Sequence, residues 1–394
     1  MNKLSNKDFI VYVGNFDISN LNAAGKRVLN ISKLLKKMGY KVVLIESTRK
    51  NGKKNKSIID NDIELYSMDY PRNIFGWMHY KKRYNEVVNI LDNYNIKYMF
   101  FYGAPTISLF VSKMLKYNKI NEIISISDIV DWLKVKFKNP FVKLIKEIDN
   151  FYKRYLNKKM DGLIVISTYL QNYYKKCETV LIPPLMEFNN SSFVNKSSDS
   201  NIKKIYYAGS PFKKGRKNIK SNNLKDRIDI IVDLLMNSNN NFYLDIYGIT
   251  KEDFLNAFPR FKDKLLNNIN FLGIVSNDLI VEKISDYDFS ILFRNNSREA
   301  NAGFSTKIAE SLSLFVPIIT NDTSDIKKYI KNGKNGFIID IFDEEKALNQ
   351  LNSILNLASN DINEMKKYCR NNQVFDLNNY ENDVKKFLIK LNNN

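Results

Sequence analysis

The chain has 394 residues, enough for two or three domains, and its 44% hydrophobic and 26% charged residues are typical of globular proteins. It contains no apolar run of about 20 residues, which excludes a membrane-spanning helix. Two cysteines and one histidine exclude a disulfide framework, cysteine-based metal centres and multi-histidine metal sites. The polar N-terminal segment lacks a signal-peptide core, so we expect a cytoplasmic protein.

The net charge of +19 is unevenly distributed along the chain. Residues 1–184 hold 32 Lys/Arg and 16 Asp/Glu, whereas the remainder holds 29 and 26. A low-GC coding bias would enrich lysine in both halves, so we interpret the asymmetry as a surface that faces an anionic partner. Nucleic acid and an anionic membrane are the usual candidates. Because no nucleic-acid-binding motif is present, we favour the membrane.

The first half alternates buried apolar runs with helical patterns. The run Phe9–Val13 predicts a strand, Ala23–Met38 a helix and Lys41–Ile45 a second strand. This spacing is typical of a strand–helix–strand unit with parallel strands. Further strands are predicted at 63–66, 98–102, 122–126, 162–166 and 179–183, and helices at 80–94, 106–116 and 141–157.

A second alternating series follows residues 187–200, whose Asn- and Ser-rich composition predicts a linker. Strands are predicted at 204–208, 242–247, 269–272, 289–293, 317–320 and 336–339, and helices at 228–235, 306–314 and 324–330. Two such series predict an α/β protein with two Rossmann-like, doubly wound domains. Their ligands are expected at the carboxyl ends of the strands, in the cleft that the two domains face.

The densest group of polar residues follows the predicted strand 289–293. Its sequence, Arg294-Asn-Asn-Ser-Arg-Glu-Ala-Asn-Ala-Gly-Phe-Ser-Thr-Lys-Ile-Ala-Glu310, predicts a polar loop that contains Gly303 and enters a helix. A strand, a glycine-bearing loop and a helix N-terminus together are a typical cradle for phosphate. Ser305 and Thr306 are also common helix caps, but capping does not account for the charged residues around them. We interpret the segment as a diphosphate and sugar site.

A second candidate loop runs from Gly209 to Lys220, directly after the first strand of the second domain. Six basic residues lie between Lys213 and Lys225, and they could neutralise phosphate oxygens. A flexible basic loop without a ligand is the alternative interpretation.

These motifs, in this order, resemble GT-B-fold glycosyltransferases of the retaining family 4 type, the glycogen-synthase-like group. The resemblance spans nearly the whole chain and is carried by Gly14 with 22–27, by 161–170, 182–185, 207–210, 302–310 and 316–320, and by the C-terminal 375–391. It implies an acceptor-side domain over 1–186 and a nucleotide-sugar domain over 202–370. It further implies that a helix within 371–394 crosses back to the first domain.

The resemblance also implies roles for single residues. Glu310 corresponds to the family's second donor-motif Glu, which binds the ribose hydroxyls, whereas Ala302 replaces the first Glu, which lies against the sugar. Many bacterial members share this variant, so we expect activity, with Glu299 or Asn301 meeting the sugar. The expected donor contacts are Gly14, Gly25, Arg27, Gly209, Ser210, Lys213, Lys214, Arg294, Asn301, Gly303, Phe304, Ser305, Thr306, Lys307 and Glu310.

The expected catalytic residues are Asp128, Asp131 and Glu299. The family's frequent N-domain histidine is absent, and the two aspartates follow the predicted strand 122–126, where that histidine tends to lie. Alternatively, Asp131 merely starts a helix. The single histidine, His79, has no identifiable carboxylate partner, and a structural role is the favoured interpretation.

The expected chemistry requires neither a metal nor a cofactor. Lysine and arginine side chains and helix N-termini can stabilise the charge on a departing nucleoside diphosphate. The Asp-x-Asp segment at Asp286 and Asp288 leads into a predicted strand, which indicates a structural role.

Two aromatic and basic stretches in the first domain suit contact with anionic lipid, Phe75–Arg83 and Trp132–Lys138. A solvated basic face over core aromatic residues is the alternative. We therefore expect transfer of a sugar to a glycan or lipid-linked acceptor in bacterial surface polysaccharide or glycoconjugate synthesis, in the cytoplasm or on the inner face of the cell membrane. A catalytically silent GT-B partner or scaffold subunit and a GT-B sugar-nucleotide epimerase are the alternatives.

Overall fold

The structure, a computed structural model, describes residues 8–19, 22–48, 56–60, 62–69, 76, 79–103, 108–132, 139–188, 202–220, 224–239, 241–275, 280 and 283–393. The chain divides into two compact units. Unit 1 comprises Met1–Leu185 together with Leu377–Asn394, and unit 2 comprises Met186–Asp376. The predicted linker at 187–200 lies, from residue 189 onwards, outside the described residues.

Unit 1 contains an eight-stranded sheet in the order β3-β4-β2-β1-β5-β6-β7-β8. The strands are β1 Phe9–Gly14, β2 Lys41–Thr48, β3 Lys56–Ile59, β4 Ile63–Asp69, β5 Ile96–Tyr102, β6 Ile124–Ile129, β7 Gly162–Val165 and β8 Thr179–Leu181. All neighbours pair in parallel except β3, which pairs antiparallel with β4 at the edge. The predicted parallel strands are present, and β3 was not predicted because its short polar sequence has no clear alternation.

Among the described residues up to residue 185, five helices cover this sheet. They are α1 Ala23–Lys37, α2 Tyr80–Leu91, α3 Ser108–Ile120, α4 Pro140–Asn157 and α5 Thr168–Tyr173. The apolar side of α1, including Val28, Ile31 and Leu35, is buried in the core of unit 1, as its 3.6-residue periodicity predicts. The helix predicted at 106–116 begins at Ser108 among the described residues and extends to Ile120.

Unit 2 contains a six-stranded parallel sheet in the order β11-β10-β9-β12-β13-β14. The strands are β9 Lys203–Ala208, β10 Phe242–Tyr247, β11 Ile269–Gly273, β12 Phe289–Leu292, β13 Ile318–Thr320 and β14 Gly336–Ile338. Numbered from β9, the order is 3-2-1-4-5-6, which is the order of a doubly wound dinucleotide-binding sheet.

The described α-helices of unit 2 are α6 Ile228–Met236, α7 Lys251–Ala257, α8 Arg298–Ala302, α9 Thr306–Ser313, α10 Ile326–Tyr329, α11 Glu344–Leu355 and α12 Ser359–Asn371. The sequence did not predict all of them. Among these, α7, α8, α11 and α12 were missed. The helix predicted at 306–314 is present, but the polar loop predicted before it is partly helical, because Ser297 caps α8 by accepting a hydrogen bond from the N–H of Ala300 (3.2 Å).

The C-terminal helix, α13 Glu381–Asn392, belongs to unit 1 although the preceding residues belong to unit 2. Its residues Phe387 and Leu391 pack on β7, where a Cβ added to Gly162 would lie 2.6 Å from both side chains. The division falls at Leu377, later than the predicted 371, because Phe375 packs within unit 2 against Phe304 and Tyr329. Among the described residues, no helix combines the length and the apolar character needed to cross a membrane.

Candidate functional site

The topology of unit 2 defines where a ligand is expected. In a doubly wound sheet, ligands bind outside the carboxyl ends of the strands at the point where the strand order reverses. That point lies at the adjacent strands β9 and β12. Gly209 follows β9 and Arg294 follows β12 by one residue, so the two predicted phosphate loops leave the sheet side by side.

A buried carboxylate lies at this point. Asp226 is fully buried, and its Oδ2 accepts hydrogen bonds from the Lys307 ammonium (2.8 Å) and the Tyr207 hydroxyl (2.9 Å). Its Oδ1 lies 3.3 Å from the Nε of Arg294. One carboxylate thus fixes the direction of two cationic side chains that come from different elements.

The electrostatics of this group leave a positive charge for a ligand. Burial alone would raise the pKa of Asp226, but the charges of Lys307 and Arg294 outweigh it and lower that pKa to about 2. Two cations and one carboxylate carry a net charge of about +1. Because 24% of the Lys307 side chain is exposed, an anion can reach this charge from solvent.

Gly209 allows the Lys307 side chain to lie directly against the loop after β9. A Cβ added at Gly209 would lie 2.2 Å from Lys307 Cε and 2.8 Å from its Nζ. The same ammonium lies 5.8 Å from the centre of the Tyr207 ring. The loop after β9 and the first turn of α9 are therefore packed together at the carboxyl edge of the sheet.

The backbone of Arg294 is held by a second residue that the sequence did not single out. The Asn321 side chain accepts a hydrogen bond from Arg294 N–H (2.8 Å) and donates one to Arg294 C=O (2.9 Å). Asn321 directly follows β13, so its position at the carboxyl end of a strand was the signal available. Asp226 was also missed, although it lies two residues before the helix predicted at 228–235.

Ala302 and its neighbours Asn301 and Glu299 differ in burial and in their hydrogen bonds. Ala302 itself is fully buried. The amide of Asn301 accepts a hydrogen bond from Ser324 N–H (2.9 Å) and donates one to Asn296 (2.7 Å). Glu299 lies half-buried in the first turn of α8. The Asn301 amide is therefore engaged in hydrogen bonds within unit 2.

The segment Gly303–Thr306 leads from α8 into α9. The Phe304 ring packs against Tyr329 (5.3 Å between centroids) and Phe375 (5.7 Å), which indicates a packing role for this predicted donor contact. Ser305 occupies the N-cap position of α9 but makes no capping hydrogen bond through its side chain. The first-turn N–H groups of α9 therefore do not donate to the Ser305 side chain, as they commonly would to an N-cap hydroxyl.

Glu310 lies one turn further along α9 and is half-buried. Burial, and to a lesser extent the charge of Glu310, raises the pKa of the Tyr206 hydroxyl. In the loop after β9, Ser210, Lys213 and Lys214 are exposed. Their loop is tied to α7 by the hydrogen bond from Asn218 N–H to Asn256 C=O (3.1 Å).

In unit 1, Arg27 and Asp128 form a buried ion pair. The guanidinium donates to both oxygens of Asp128 at 2.8–3.0 Å and to the carbonyls of Ile182 (3.0 Å) and Pro183 (3.1 Å). The Tyr12 hydroxyl donates to the same carboxylate. Both side chains are at most 4% exposed, which favours a structural role for the predicted catalytic Asp128 and the predicted donor contact Arg27.

Gly14 and Gly25 also serve close packing in unit 1. A Cβ at Gly14 would lie 2.2 Å from the carbonyl oxygen of Tyr102, and one at Gly25 would lie 2.3 Å from that of Asp17. Such distances are far below van der Waals contact. These glycines allow β1 to approach β5 and allow α1 to approach the loop after β1.

Asp131 is the exposed member of the predicted catalytic pair. It lines a concave site formed by the ends of β5 and β6 and by α4, together with Ser127, Lys153 and Asn157. Asp128 also lines this site, but its carboxylate is buried and paired with Arg27, whereas Asp131 is exposed.

The structure changes the interpretation of the two aromatic and basic stretches, Phe75–Arg83 and Trp132–Lys138. Arg83 is buried and donates to the Ser47 hydroxyl (2.7 Å), so it is not part of an exposed basic face. Trp132 packs edge-on against Tyr173 (4.8 Å) and lies under Arg154. Residues 70–75, 77–78 and 133–138 lie outside the described residues. His79 is exposed at the position before α2 and does not cap it.

The Asp-x-Asp segment has a structural role, as its place in the sequence indicates. Asp288 is buried, and its Oδ2 accepts the N–H of Lys204 (2.8 Å) while its own N–H donates to Lys204 C=O (2.8 Å). Among the described residues, no group of three or more His, Cys, Asp or Glu side chains is placed to hold a metal ion.

Two Rossmann-like units with these strand orders define the class of fold. Anabaena HepE, solved with UDP and glucose, has a TM-score of 0.64 at 12% identity, covering 97% of this chain and 99% of its own. A Rickettsia africae glycosyltransferase has a TM-score of 0.66 at 16% identity, covering 99% and 100%. WaaB, a lipopolysaccharide outer core galactosyltransferase, has 0.60 at 15%, covering 93% and 99%. The predicted GT-B fold is confirmed.

The sequence of unit 2 defines the class of enzyme. Residues 215–373 match the family model described as "Glycosyl transferases group 1". No curated protein sequence matches the chain. The matched residues lie within unit 2, and the prediction that this protein is a glycosyltransferase is confirmed. Its assignment to the retaining family 4 type stays a prediction.

Proposed function

We propose that this protein transfers a sugar from a nucleoside-diphosphate sugar to a glycan or lipid-linked acceptor in bacterial surface polysaccharide or glycoconjugate synthesis, with retention at the anomeric carbon and without a metal. The observation that carries the proposal is the buried Asp226, which directs Lys307 and Arg294 to the point where the strand order of unit 2 reverses. HepE was solved with UDP and glucose, and WaaB is a galactosyltransferase of lipopolysaccharide, which supports the proposed substrate classes.

The donor diphosphate binds beside Gly209, against the Lys307 ammonium and the N-terminus of α9. As the bond from the anomeric carbon to the diphosphate breaks, the leaving group gains negative charge. Lys307, Lys213 and Lys214 stabilise this charge, and their contribution is largest when the charge is fully developed. Asp226 contributes indirectly, because it holds Lys307 and Arg294 in direction.

Other residues of unit 2 bind the rest of the donor. Glu310 accepts hydrogen bonds from the ribose hydroxyls, and a hydrogen bond to a charged acceptor contributes about 1.5–3 kcal/mol. Glu299 meets the sugar in place of the missing carboxylate at position 302. On unit 1, Asp131 contacts the acceptor hydroxyl. The oxygen of that hydroxyl forms the new glycosidic bond, and its proton passes to the departing diphosphate.

The acceptor is proposed to be presented at the inner face of the cell membrane, where unit 1 contacts anionic lipid through its basic surface. The charge of residues 1–184 supports this location, since each Lys or Arg close to an anionic membrane contributes about 1 kcal/mol. Because Arg83 is buried, Lys81 and Lys82 are the exposed basic residues at the start of α2.

A catalytically silent partner subunit is the second candidate, and the buried Ala302 favours it because position 302 cannot offer a carboxylate to the sugar. Nucleotide binding alone does not separate the two candidates, whereas turnover does. Slow release of free sugar from a nucleotide sugar, measured without any acceptor, supports the enzyme. Donor binding without any release supports the silent subunit.

Thermal stabilisation by nucleotides tests the donor site. Purified protein is heated with UDP, GDP, ADP or CMP, each at several concentrations. A ligand at 100 times its Kd adds about 2.7 kcal/mol to the free energy of unfolding, which gives a clear shift in Tm. Lys307→Gln should reduce the shift, and Lys264→Gln, an exposed lysine of unit 2 outside the site, should not. Equal shifts in both variants would contradict the assigned site.

A further inference from the structure

Helix α4 carries an apolar face that the described residues of unit 1 leave exposed. The N-terminus of the helix is capped, because the Asn139 side chain accepts hydrogen bonds from the N–H groups of Phe141 (2.9 Å) and Val142 (3.2 Å). Pro140 occupies the first turn, where proline is well tolerated. With 18 residues, it is the longest helix that the structure describes in unit 1.

The opposite face of α4 anchors the helix to the unit. Asp149 and Leu156 are its buried residues. Asp149 accepts the N–H of Ser108 at the start of α3 (2.6 Å) and lies 3.0 Å from the Lys153 ammonium. The rotation of α4 about its axis is thereby fixed, and with it the direction of the exposed face.

Large hydrophobic side chains recur on that exposed face at intervals of three and four residues. They are Phe141 (66% exposed), Leu144 (55%), Ile148 (59%), Phe151 (70%) and Tyr155 (49%). Such intervals place them in one stripe along the helix. A solvent-facing side of an ordinary surface helix is polar, and a contiguous apolar stripe of this kind marks an interaction site.

Basic residues flank this stripe. Lys143, Lys158 and Lys159 are exposed, and the Lys159 ammonium lies 5.6 Å from the centre of the Tyr155 ring. The helix has two acidic residues, of which Asp149 is buried and Glu147 pairs with Lys143 at 3.7 Å.

We propose that α4 lies in the plane of an anionic membrane, with the stripe Phe141–Tyr155 inserted at the boundary between headgroups and acyl chains. An apolar face flanked by lysine is the pattern of interfacial helices. The charge favours lipid over a second copy of the chain, because two copies meeting through α4 would bring two strongly basic surfaces together. This inference rests on the proposed membrane location and names the element responsible for it.

The inference predicts a different salt dependence from attraction by lysine alone. Exposed charges are screened at high salt, whereas the transfer of apolar side chains out of water is not. Binding to vesicles should therefore have a component that remains when salt is raised and that depends on the stripe.

The experiment is co-sedimentation of the full chain with vesicles of phosphatidylcholine containing phosphatidylglycerol, at low and high salt. The double substitution Ile148→Gln with Phe151→Gln should lower binding by at least about tenfold at both salt concentrations. Phe342→Gln removes a side chain that is 64% exposed in unit 2 and should leave binding unchanged. Replacement of Ile148 by Trp alone should shift tryptophan emission to the blue when vesicles are added.

Three results would overturn the inference. In the first, the double variant binds to vesicles as strongly as the unmodified protein, and high salt releases both proteins from the vesicles. In the second, the unmodified protein does not bind. In the third, sedimentation velocity shows a dimer that the double variant abolishes, which assigns the stripe to a second copy. Release of sugar from the donor is measured in the same samples, because it reports on the proposed function separately from membrane binding.

Discussion

At the scale of single residues, the site depends on side chains that hold other side chains. Asp226 and Asn321 each direct a cationic residue of unit 2, and neither belongs to a motif with a recognisable spacing. The sequence predicted Lys307, Arg294 and Glu310 because they crowd one segment after a strand. It could not predict that a carboxylate far away in the sequence is buried against them, since such contacts depend on how the strands are ordered.

The first prediction concerns Asp226 and acid stability. Its folded-state pKa of about 2 lies below the unfolded value of about 3.9, so its contribution is complete above about pH 5 and is lost as pH falls towards 2. The shift corresponds to roughly 2–3 kcal/mol. Chemical denaturation at several pH values should therefore show that Asp226→Asn is less stable than the unmodified protein at pH 6, with a smaller difference near pH 2.

The matched control for this prediction is Asp340→Asn. Asp340 forms an exposed ion pair with Lys346, which contributes little to stability. A similar loss of stability in both variants at pH 6, or a difference for Asp226→Asn that does not change with pH, would contradict the assigned ion-pair network.

The second prediction concerns Glu310. Glu310→Ala should weaken the binding of a nucleoside diphosphate by about 1.5–3 kcal/mol, because the ribose loses a charged acceptor. Titration calorimetry with the nucleotide that stabilises the protein measures this change. The matched control is Glu344→Ala, an exposed glutamate in the first turn of α11. Unchanged affinity in Glu310→Ala would remove the ribose from this part of unit 2.

At the scale of elements, the sequence predicted the parallel strands well because each is a short apolar run buried in its sheet. It missed α7, α8, α11 and α12, whose apolar residues are spread thinly among polar ones. The short helix α8 had the larger consequence, because it turns Ala302 into the core and leaves Glu299 in its first turn. The exposed stripe of α4 was also invisible in the sequence, since periodicity shows an apolar face without showing what covers it.

The third prediction concerns the packing of α13 in unit 1. Phe387 is buried in the core of that unit and lies against Gly162. Phe387→Ala should lower the free energy of unfolding of unit 1 by about 3–5 kcal/mol, because the lost side chain leaves a cavity. Calorimetry should show one transition at a lower temperature, and a nucleoside diphosphate should still stabilise the other transition. The exposed Ile389 of the same helix offers the control Ile389→Ala, which should have little effect.

At the scale of the whole molecule, two Rossmann-like units carry different charges and different surfaces. The first half of the chain is strongly basic, and the second half is nearly balanced. Composition and strand alternation were sufficient to predict this organisation. The particular nucleotide and acceptor do not follow from it, because the backbone groups that recognise a base leave no side-chain pattern in a sequence.

The fourth prediction concerns metal independence. If lysine, arginine and the α9 N-terminus stabilise the departing diphosphate, a chelator should leave turnover unchanged. The measurement is release of the nucleoside diphosphate with and without excess EDTA, followed by addition of magnesium or manganese. Strict dependence on added metal would contradict the proposed charge stabilisation.

The central claim is that the carboxyl edge of unit 2, at Gly209 and Lys307, binds the donor diphosphate of an active glycosyltransferase. The most direct measurement is release of nucleoside diphosphate from a panel of nucleotide sugars by the unmodified protein, by Lys307→Gln and by Lys264→Gln. We predict release from one donor by the unmodified protein and by Lys264→Gln, and a loss of at least about tenfold in Lys307→Gln. Release that Lys307→Gln leaves intact, or no release from any donor, would contradict the claim.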